Sequence, residues 1–170
     1  LDYARPRSSQ GEQIFLDSLL EETITLFRNS REFRSDVVII CDLPSALAIT
    51  GDPQRLRQVF WNLLINAAQA IHNEGTITIS AASGAGIDAD MVTIRILDTG
   101  MGITSEHLDH IFDPFFTTKP AGTGLGLAIV SRIIEDHNGT IDVKSEVGKG
   151  TSVVINLPYS ERRVDARQNA

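Results

Sequence analysis

Cysteine occurs once in the 170 residues, at Cys41. That excludes an internal disulfide and a cysteine-built zinc site, and it leaves Cys41 as a small side chain expected in the core. Basic residues are also few: 15 Lys and Arg against 22 Asp and Glu give a net charge of -7 and a pI of about 5.0. A nucleic-acid footprint would need a basic patch, so polyanion binding is not expected. No apolar run approaches the ~18 residues that span a bilayer, and the opening LDYARPRSSQ has no signal-peptide core. A soluble, cytoplasmic chain with no membrane contact of its own is the expectation. What the chain does have is a hydrophobic fraction of 42%, enough for one core of ordinary size.

Leu1 to Arg5, stopped by Pro6, reads as the end of a helix, and Arg7 to Gln13 as a polar connector, as though cut from something longer. Apolar residues from Leu16 to Phe27 recur at helical spacing, and Val37 to Ile40 is a β-branched strand ending at Leu43-Pro44. Asp52-Pro53 opens a helix with Asp as N-cap and Pro at the first helical position, running to about His72. Thr76 to Ala82 and Val92 to Asp98 alternate as a hairpin with a long tip. A short helix over Ser105 to Ile111, an irregular stretch over Phe112 to Thr123, and a helix over Leu125 to His137 follow. Strands Ile141 to Ser145 and Ser152 to Leu157 close the pattern, and the polar tail 160–170 is expected to be disordered. Strands adjacent in sequence predict a two-layer α/β sandwich, a mixed but mainly antiparallel sheet with helices on one face.

The second helix is apolar around most of its circumference. Gln58, Asn62, Asn66 and Gln69 are the exceptions, and at about 100° per residue they share an arc of roughly 80°. Such a stripe meets either ligand and ordered water or a solvated, internally bonded network. An amide oxygen is a hard ligand suited to Mg²⁺, and its NH₂ can donate to phosphate. In VTIRILD, strand parity puts Asp98 on the same face as Val92, Ile94 and Ile96, so its carboxylate points coreward. It must accept hydrogen bonds there, either from an amine such as adenine's in an apolar pocket or from the turn Gly100 to Gly102.

Three glycine boxes follow one another: DTGMGI from Asp98, GTGLGL from Gly122 and GKGT from Gly148. The second runs straight into an apolar helix whose free N–H groups and positive dipole end would face an anion held by the glycines. It is neither a Walker A loop nor the dinucleotide fingerprint, because the spacings differ. Before it, FDPFFTTKP places Phe112, Phe115 and Phe116 in a segment without regular structure, suited to docking a mobile lid. Lys119 could reach a terminal phosphate from there or remain a solvated loop lysine.

In this order, the amide helix, DTGMGI, FDPFF, GTGLGL and GKGT resemble the N box, first glycine box, F box, second glycine box and last glycine motif of the catalytic, ATP-binding domain of bacterial sensor histidine kinases in the GHKL superfamily. NLLINAAQAI and FDPFFTTKPAGTGLGLAIV are most similar to the nitrogen-regulation branch. The resemblance implies residues 1–13 as the end of a dimerisation helix with its linker, 14–159 as the catalytic domain and 160–170 as a tail. It implies ATP and Mg²⁺ as cofactors, with Asn66 ligating the metal and Asn62 supporting it. Asp98 would receive the adenine amine in a pocket shaped by Gly100, Gly102 and Ile103, with Thr151 lining it. Lys119 would reach the γ-phosphate, while Thr123, Gly124, Leu125, Gly126 and Leu127 would hold phosphates. Gln69 stands near the phosphates where many of these kinases carry Lys or Arg.

The implied reaction is phosphoryl transfer to a histidine, and the implied partners are a histidine-bearing dimerisation domain and a downstream response regulator. The family's acceptor histidine precedes an acidic residue; His72, His107, His110 and His137 are followed by Asn, Leu, Ile and Asn. The acceptor therefore lies outside this chain, which alone is expected to be monomeric, in a parent that can be anchored to the inner membrane. The hydrolysing relatives carry a glutamate base four residues before the metal asparagine, where this chain has Asn62. A slow ATPase is accordingly one alternative, and a nucleotide-binding module regulating a partner, of the anti-sigma or pseudokinase kind, is another.

Overall fold

The computed structural model describes residues 11–84, 90–120 and 122–160. The expected helix end at Leu1 to Arg5, the hairpin tip at 85–89 and the tail beyond Ser160 lie outside the described residues.

Elements run in the order β1 (Glu12–Phe15), α1 (Leu16–Arg28), β2 (Val37–Asp42), β3 (Ala48–Gly51), α2 (Pro53–Ala70), β4 (Gly75–Ser83), β5 (Met91–Asp98), α3 (Ser105–Leu108), α4 (Gly126–Asp136), β6 (Thr140–Glu146) and β7 (Gly150–Pro158). Five strands form one sheet in the order β2-β4-β5-β7-β6, with β2 parallel to β4 and every other pair antiparallel. Alternation does the sorting. Ile77, Ile79, Val92, Ile94, Ile96, Ile155 and Leu157 turn to one face and are buried beneath the helices. From the other layer Leu20, Phe27, Leu56, Phe60, Leu64 and Ile134 reach the same core. On the uncovered face Thr93 Oγ1 donates to Asn156 Oδ1 (2.7 Å), and Asn156 Nδ2 donates to Thr140 Oγ1 (3.1 Å), a polar ladder across three strands. The architecture is the mixed, mainly antiparallel two-layer sandwich that the pattern predicts.

Two short strands depart from that pattern. Glu12 and Gln13, read as connector, pair with Gly51 and Thr50 in a separate antiparallel sheet formed by β1 and β3. Four-residue strands joined across a whole helix carry no periodic signal long enough to detect. Cys41 also differs from expectation: it is exposed, because β2 is an edge strand and the helical layer does not cover its end.

The helix that carries the polar stripe is secured at both ends. Asp52 Oδ1 accepts the N–H groups of Gln54 (2.9 Å) and Arg55 (3.2 Å), with Pro53 in the first turn. His137, at the C-terminal end of α4, accepts the Asp52 N–H at Nε2 (3.0 Å) while Nδ1 faces the Ile133 carbonyl (2.7 Å). That pairing requires the tautomer protonated at Nδ1 and joins α4 to the start of α2. At the far end Arg34 donates to the carbonyl of the C-cap residue Ile71 (2.6 Å) and to those of His72 (2.9 Å) and Asn73 (3.0 Å) in the segment that follows, so the chain leaving the helix is pinned.

Candidate functional site

The first glycine box leaves β5 at Asp98, whose side chain is only 5% exposed. Its Oδ1 accepts the Gly100 N–H at 2.8 Å, so the turn-capping bond is made. Burial pushes the carboxyl above the ordinary carboxylate range, while the backbone N–H groups of Gly100 and Thr151 and the charge of Lys119 pull it back. The loop beyond it is fixed by two backbone bonds, Met101 N–H to the Ala70 carbonyl (2.9 Å) and Gly148 N–H to the Met101 carbonyl (2.8 Å). The first and last glycine boxes thus meet at the C-terminal end of α2.

Thr151 pairs directly with Asp98 across β5 and β7 and is 7% exposed. One residue before it, Gly150 has φ +113, and a Cβ there would lie 1.9 Å from the Asp98 carbonyl oxygen. A side chain at this point collides with backbone, which cannot move aside. Gly150→Ala is expected to destabilise the fold by about 2 to 4 kcal/mol. Gly148→Ala, also at positive φ but with open space around it, should cost about 1 kcal/mol. Urea denaturation of the two variants measures the difference; equal midpoints would refute the collision.

Sequence reasoning missed Ser145. Its Oγ accepts the Ile103 N–H (2.8 Å), lies 2.9 Å from the Gly150 carbonyl and 2.8 Å from Thr151 Oγ1. This hydroxyl ties the Ile103 loop to the wall that carries Thr151. The only available signal was a serine at the end of β6, next to the last glycine box.

Along α2 the stripe faces partly to solvent, and Asn66 and Gln69 lie in the last turns of the helix, beside the loop that Ala70 holds. Asn62 and Asn66 are half-buried, and Gln58 and Gln69 are exposed. Gln58 also lines a groove between α2 and α4 with Arg55, Pro114, Leu125, Ile129 and Arg132. Lys119 Nζ donates to Gln69 Oε1 at 2.6 Å and to Asn66 Oδ1 at 3.3 Å. Burial lowers the affinity of this amine for its proton, and Asp98 partly restores it. The loop lysine is therefore engaged with the stripe.

Gly124 has φ +68, and a Cβ there would meet the Phe115 backbone at 2.3 Å. Phe115 N–H donates to the Gly124 carbonyl at 2.8 Å, so the second glycine box is clasped to the segment that precedes it. Phe115 itself is 75% exposed with φ 69, whereas Phe112 is half-buried and Phe116 packs against the rings of His107 and His110. Two of the three aromatics thus dock; the third does not. α4 begins at Gly126 without a side-chain cap, and Thr123 Oγ1 approaches Leu125 N–H only at 3.4 Å. Its first-turn donors remain available to an anion.

Among the described residues no group of three or more His, Cys, Asp or Glu side chains converges. A divalent cation held here would rest on Asn66, on waters and on phosphate oxygens, a set that suits Mg²⁺. The Asn66 oxygen already faces one cation, the Lys119 ammonium, so its orientation fits that role.

The family model of the histidine kinase-, DNA gyrase B- and HSP90-like ATPases matches residues 51–161. The chain is similar to the sensor histidine kinase ZraS of Escherichia coli (strain K12), with 41% identity over 169 residues, 97% of this chain and 35% of that protein. The solved catalytic domain of histidine kinase ThkA superposes with a TM-score of 0.76 at 30% identity, covering 88% of this chain and 95% of that one. The full-length histidine kinase ShkA, solved in complex with AMPPNP, gives a TM-score of 0.76 at 28% identity, covering 92% of this chain and 32% of its own. The chain spans about a third of the length of the ZraS protein. Among the described residues, no helix is long and apolar enough to cross a membrane.

Proposed function

Because the chain belongs to the histidine kinase-, DNA gyrase B- and HSP90-like ATPase family, whose domain binds ATP, we propose that it is the catalytic domain of a sensor histidine kinase. It uses Mg-ATP to phosphorylate a histidine on a separate dimerisation domain of its parent protein, and the catalytic unit, expected from residue 14 to 159, starts two residues earlier with β1. The observation that carries this reading is a buried carboxylate, Asp98, within electrostatic reach of Lys119, whose ammonium in turn meets the amides of Asn66 and Gln69.

Each residue has a role that follows from its chemistry. Asp98 accepts the exocyclic amine of adenine, with Gly100, Gly102, Ile103 and Thr151 shaping the surrounding wall. The uncapped start of α4, from Thr123 through Leu127, offers N–H donors to the phosphates. Lys119 supplies positive charge at the γ-phosphate, and Asn62 supports Asn66. Mg²⁺ supplies charge neutralisation on the phosphate oxygens when bound at Asn66. The protein's contribution is positioning and electrostatics, as phosphoryl transfer requires.

Asn62 lies one turn before Asn66 and is an amide, which cannot take a proton from water as a carboxylate can. That favours transfer to a protein histidine over hydrolysis. The acceptor comes from outside. His137, one of the four histidines, is committed at both ring nitrogens to the joint between α2 and α4. A response regulator is the downstream partner, and the parent carries the sensing regions.

The test combines this chain, γ-labelled ATP and the parent's histidine-bearing dimerisation domain. Acid-labile label is expected on the dimerisation domain and none on this chain alone. Label on this chain by itself overturns the division of labour; phosphate release without label on the partner supports a slow ATPase; ATP binding with neither supports a regulatory nucleotide-binding module.

A further inference from the structure

Lys119 sits in a segment without regular structure, yet its ammonium is not left in water. Two amide oxygens of α2 receive it, Gln69 at 2.6 Å and Asn66 at 3.3 Å, on residues three apart and hence on one helix face. The shorter bond is the one to the exposed Gln69, and a charged donor at that distance makes a strong hydrogen bond. Around it the segment is locally ordered. Thr117 Oγ1 accepts the Lys119 N–H (3.1 Å), the Lys119 carbonyl accepts the Gly122 N–H (3.1 Å), and Phe115 is bonded to Gly124. Lys119 thus hydrogen-bonds from this segment to α2, and Gln69 is the nearer of its two acceptors there.

The oxygen of Asn66 thereby has two claimants. An ammonium and a divalent cation at the same amide oxygen repel one another, so each weakens the other's hold there. Gln69 resolves the competition by giving Lys119 a second acceptor that the metal does not require.

We infer that Gln69 is a positioning residue acting through Lys119: without nucleotide it parks the ammonium on α2, holding the 112–120 segment against the amide stripe, and nucleotide entry exchanges this internal cation for an external one. This deepens the proposed ATP site and rests on that reading. It also gives a physical role to an uncharged residue near the phosphates: the cation is carried by the loop and docked by the helix amide.

The test is hydrogen exchange, read by mass spectrometry over residues 112–120 of the full chain without nucleotide, in wild type, Gln69→Leu, Lys119→Met, Gln69→Glu and the Gln69→Leu/Lys119→Met pair. Gln69→Leu and Lys119→Met should each speed exchange by about three- to tenfold, the loss of one charge-assisted bond at a partly exposed site. The pair should do no more than either alone, because both remove the same contact. Gln69→Glu should slow exchange, since a carboxylate holds the ammonium more tightly. Gln69 is exposed, so unchanged circular dichroism and thermal midpoint will establish that the variants fold. Unchanged exchange in Gln69→Leu, or full additivity in the pair, overturns the inference. ADP affinity, measured by calorimetry in the same samples, separates the two levels: a chain that fails to bind nucleotide refutes the ATP site, while the exchange data still decide whether Gln69 holds Lys119.

Discussion

Asn66→Ala is expected to lower metal-dependent phosphoryl transfer by on the order of a hundredfold or more, while metal-free ADP affinity stays within about threefold of wild type. The asymmetry follows from where Asn66 stands. It lies on the half-buried stripe of α2, at the end that faces Lys119, whereas the adenine acceptor is the buried Asp98 on β5. Removing the amide deletes a hard oxygen ligand and leaves the base-binding end untouched. The helix itself should not suffer, because alanine is a better helix former than asparagine by ~0.5 kcal/mol and the side chain is not in the core. Magnesium titrations of the transfer rate, with the dimerisation domain as acceptor, give the measurement. The variant should need far more Mg²⁺ or fail to saturate; a titration curve that overlays the wild type would remove Asn66 from the metal site. Lys119 would retain Gln69 as partner, so the loop contact should persist.

The legible parts of this chain are those whose signals are local. Asp52-Pro53 announces the start of α2 and the structure has that cap, with Asp52 accepting from Gln54 and Arg55. Strand parity alone puts Asp98 inward, and it is buried. Both readings use only the chemistry of neighbouring residues and a fixed period. What escaped the sequence is contact between distant segments. The β1 to β3 pairing joins Phe15 to Ala48 across α1 and β2. His137 reaches the Asp52 backbone across 85 residues and Lys119 reaches Gln69 across 50. No periodicity encodes such meetings. The sequence suggested Lys119 for the phosphates and Gln69 as a missing charge, but only the fold brings the ammonium onto the amide. Cys41 failed for a related reason: whether a strand residue is covered depends on its place in the sheet order, and β2 is an edge.

Asp98→Asn should separate the carboxylate's binding role from its cost to the fold. Nucleotide affinity is expected to fall about ten- to a hundredfold, the loss expected when a charged acceptor in a buried site is replaced. An asparagine can turn only one oxygen toward its surroundings and presents its NH₂ to the other, where an adenine amine would meet a donor instead of an acceptor. Folding stability should move little at neutral pH, within about 1 kcal/mol. The amide oxygen can still accept the Gly100 N–H, and losing the Thr151 bond is offset by no longer burying a charge.

The pH dependence isolates the second effect. Burial raises the Asp98 carboxyl above its ordinary value, so between the ordinary and raised values the folded chain holds a proton that the unfolded chain has released. This group therefore stabilises the fold most when protonated, and that contribution is lost as pH rises through the raised value. Asp36 and Asp136 act in the opposite sense, held low chiefly by hydrogen bonds from Arg34 and Arg55, but both are common to wild type and variant. Subtracting the two stability curves cancels them. From about pH 4 upward the difference should shift in favour of Asp98→Asn and then level off, and saturating ADP should reverse its sign because only wild type binds tightly. A flat difference curve would mean that the buried carboxylate costs the fold nothing. An unchanged ADP affinity would mean that it does not receive the base.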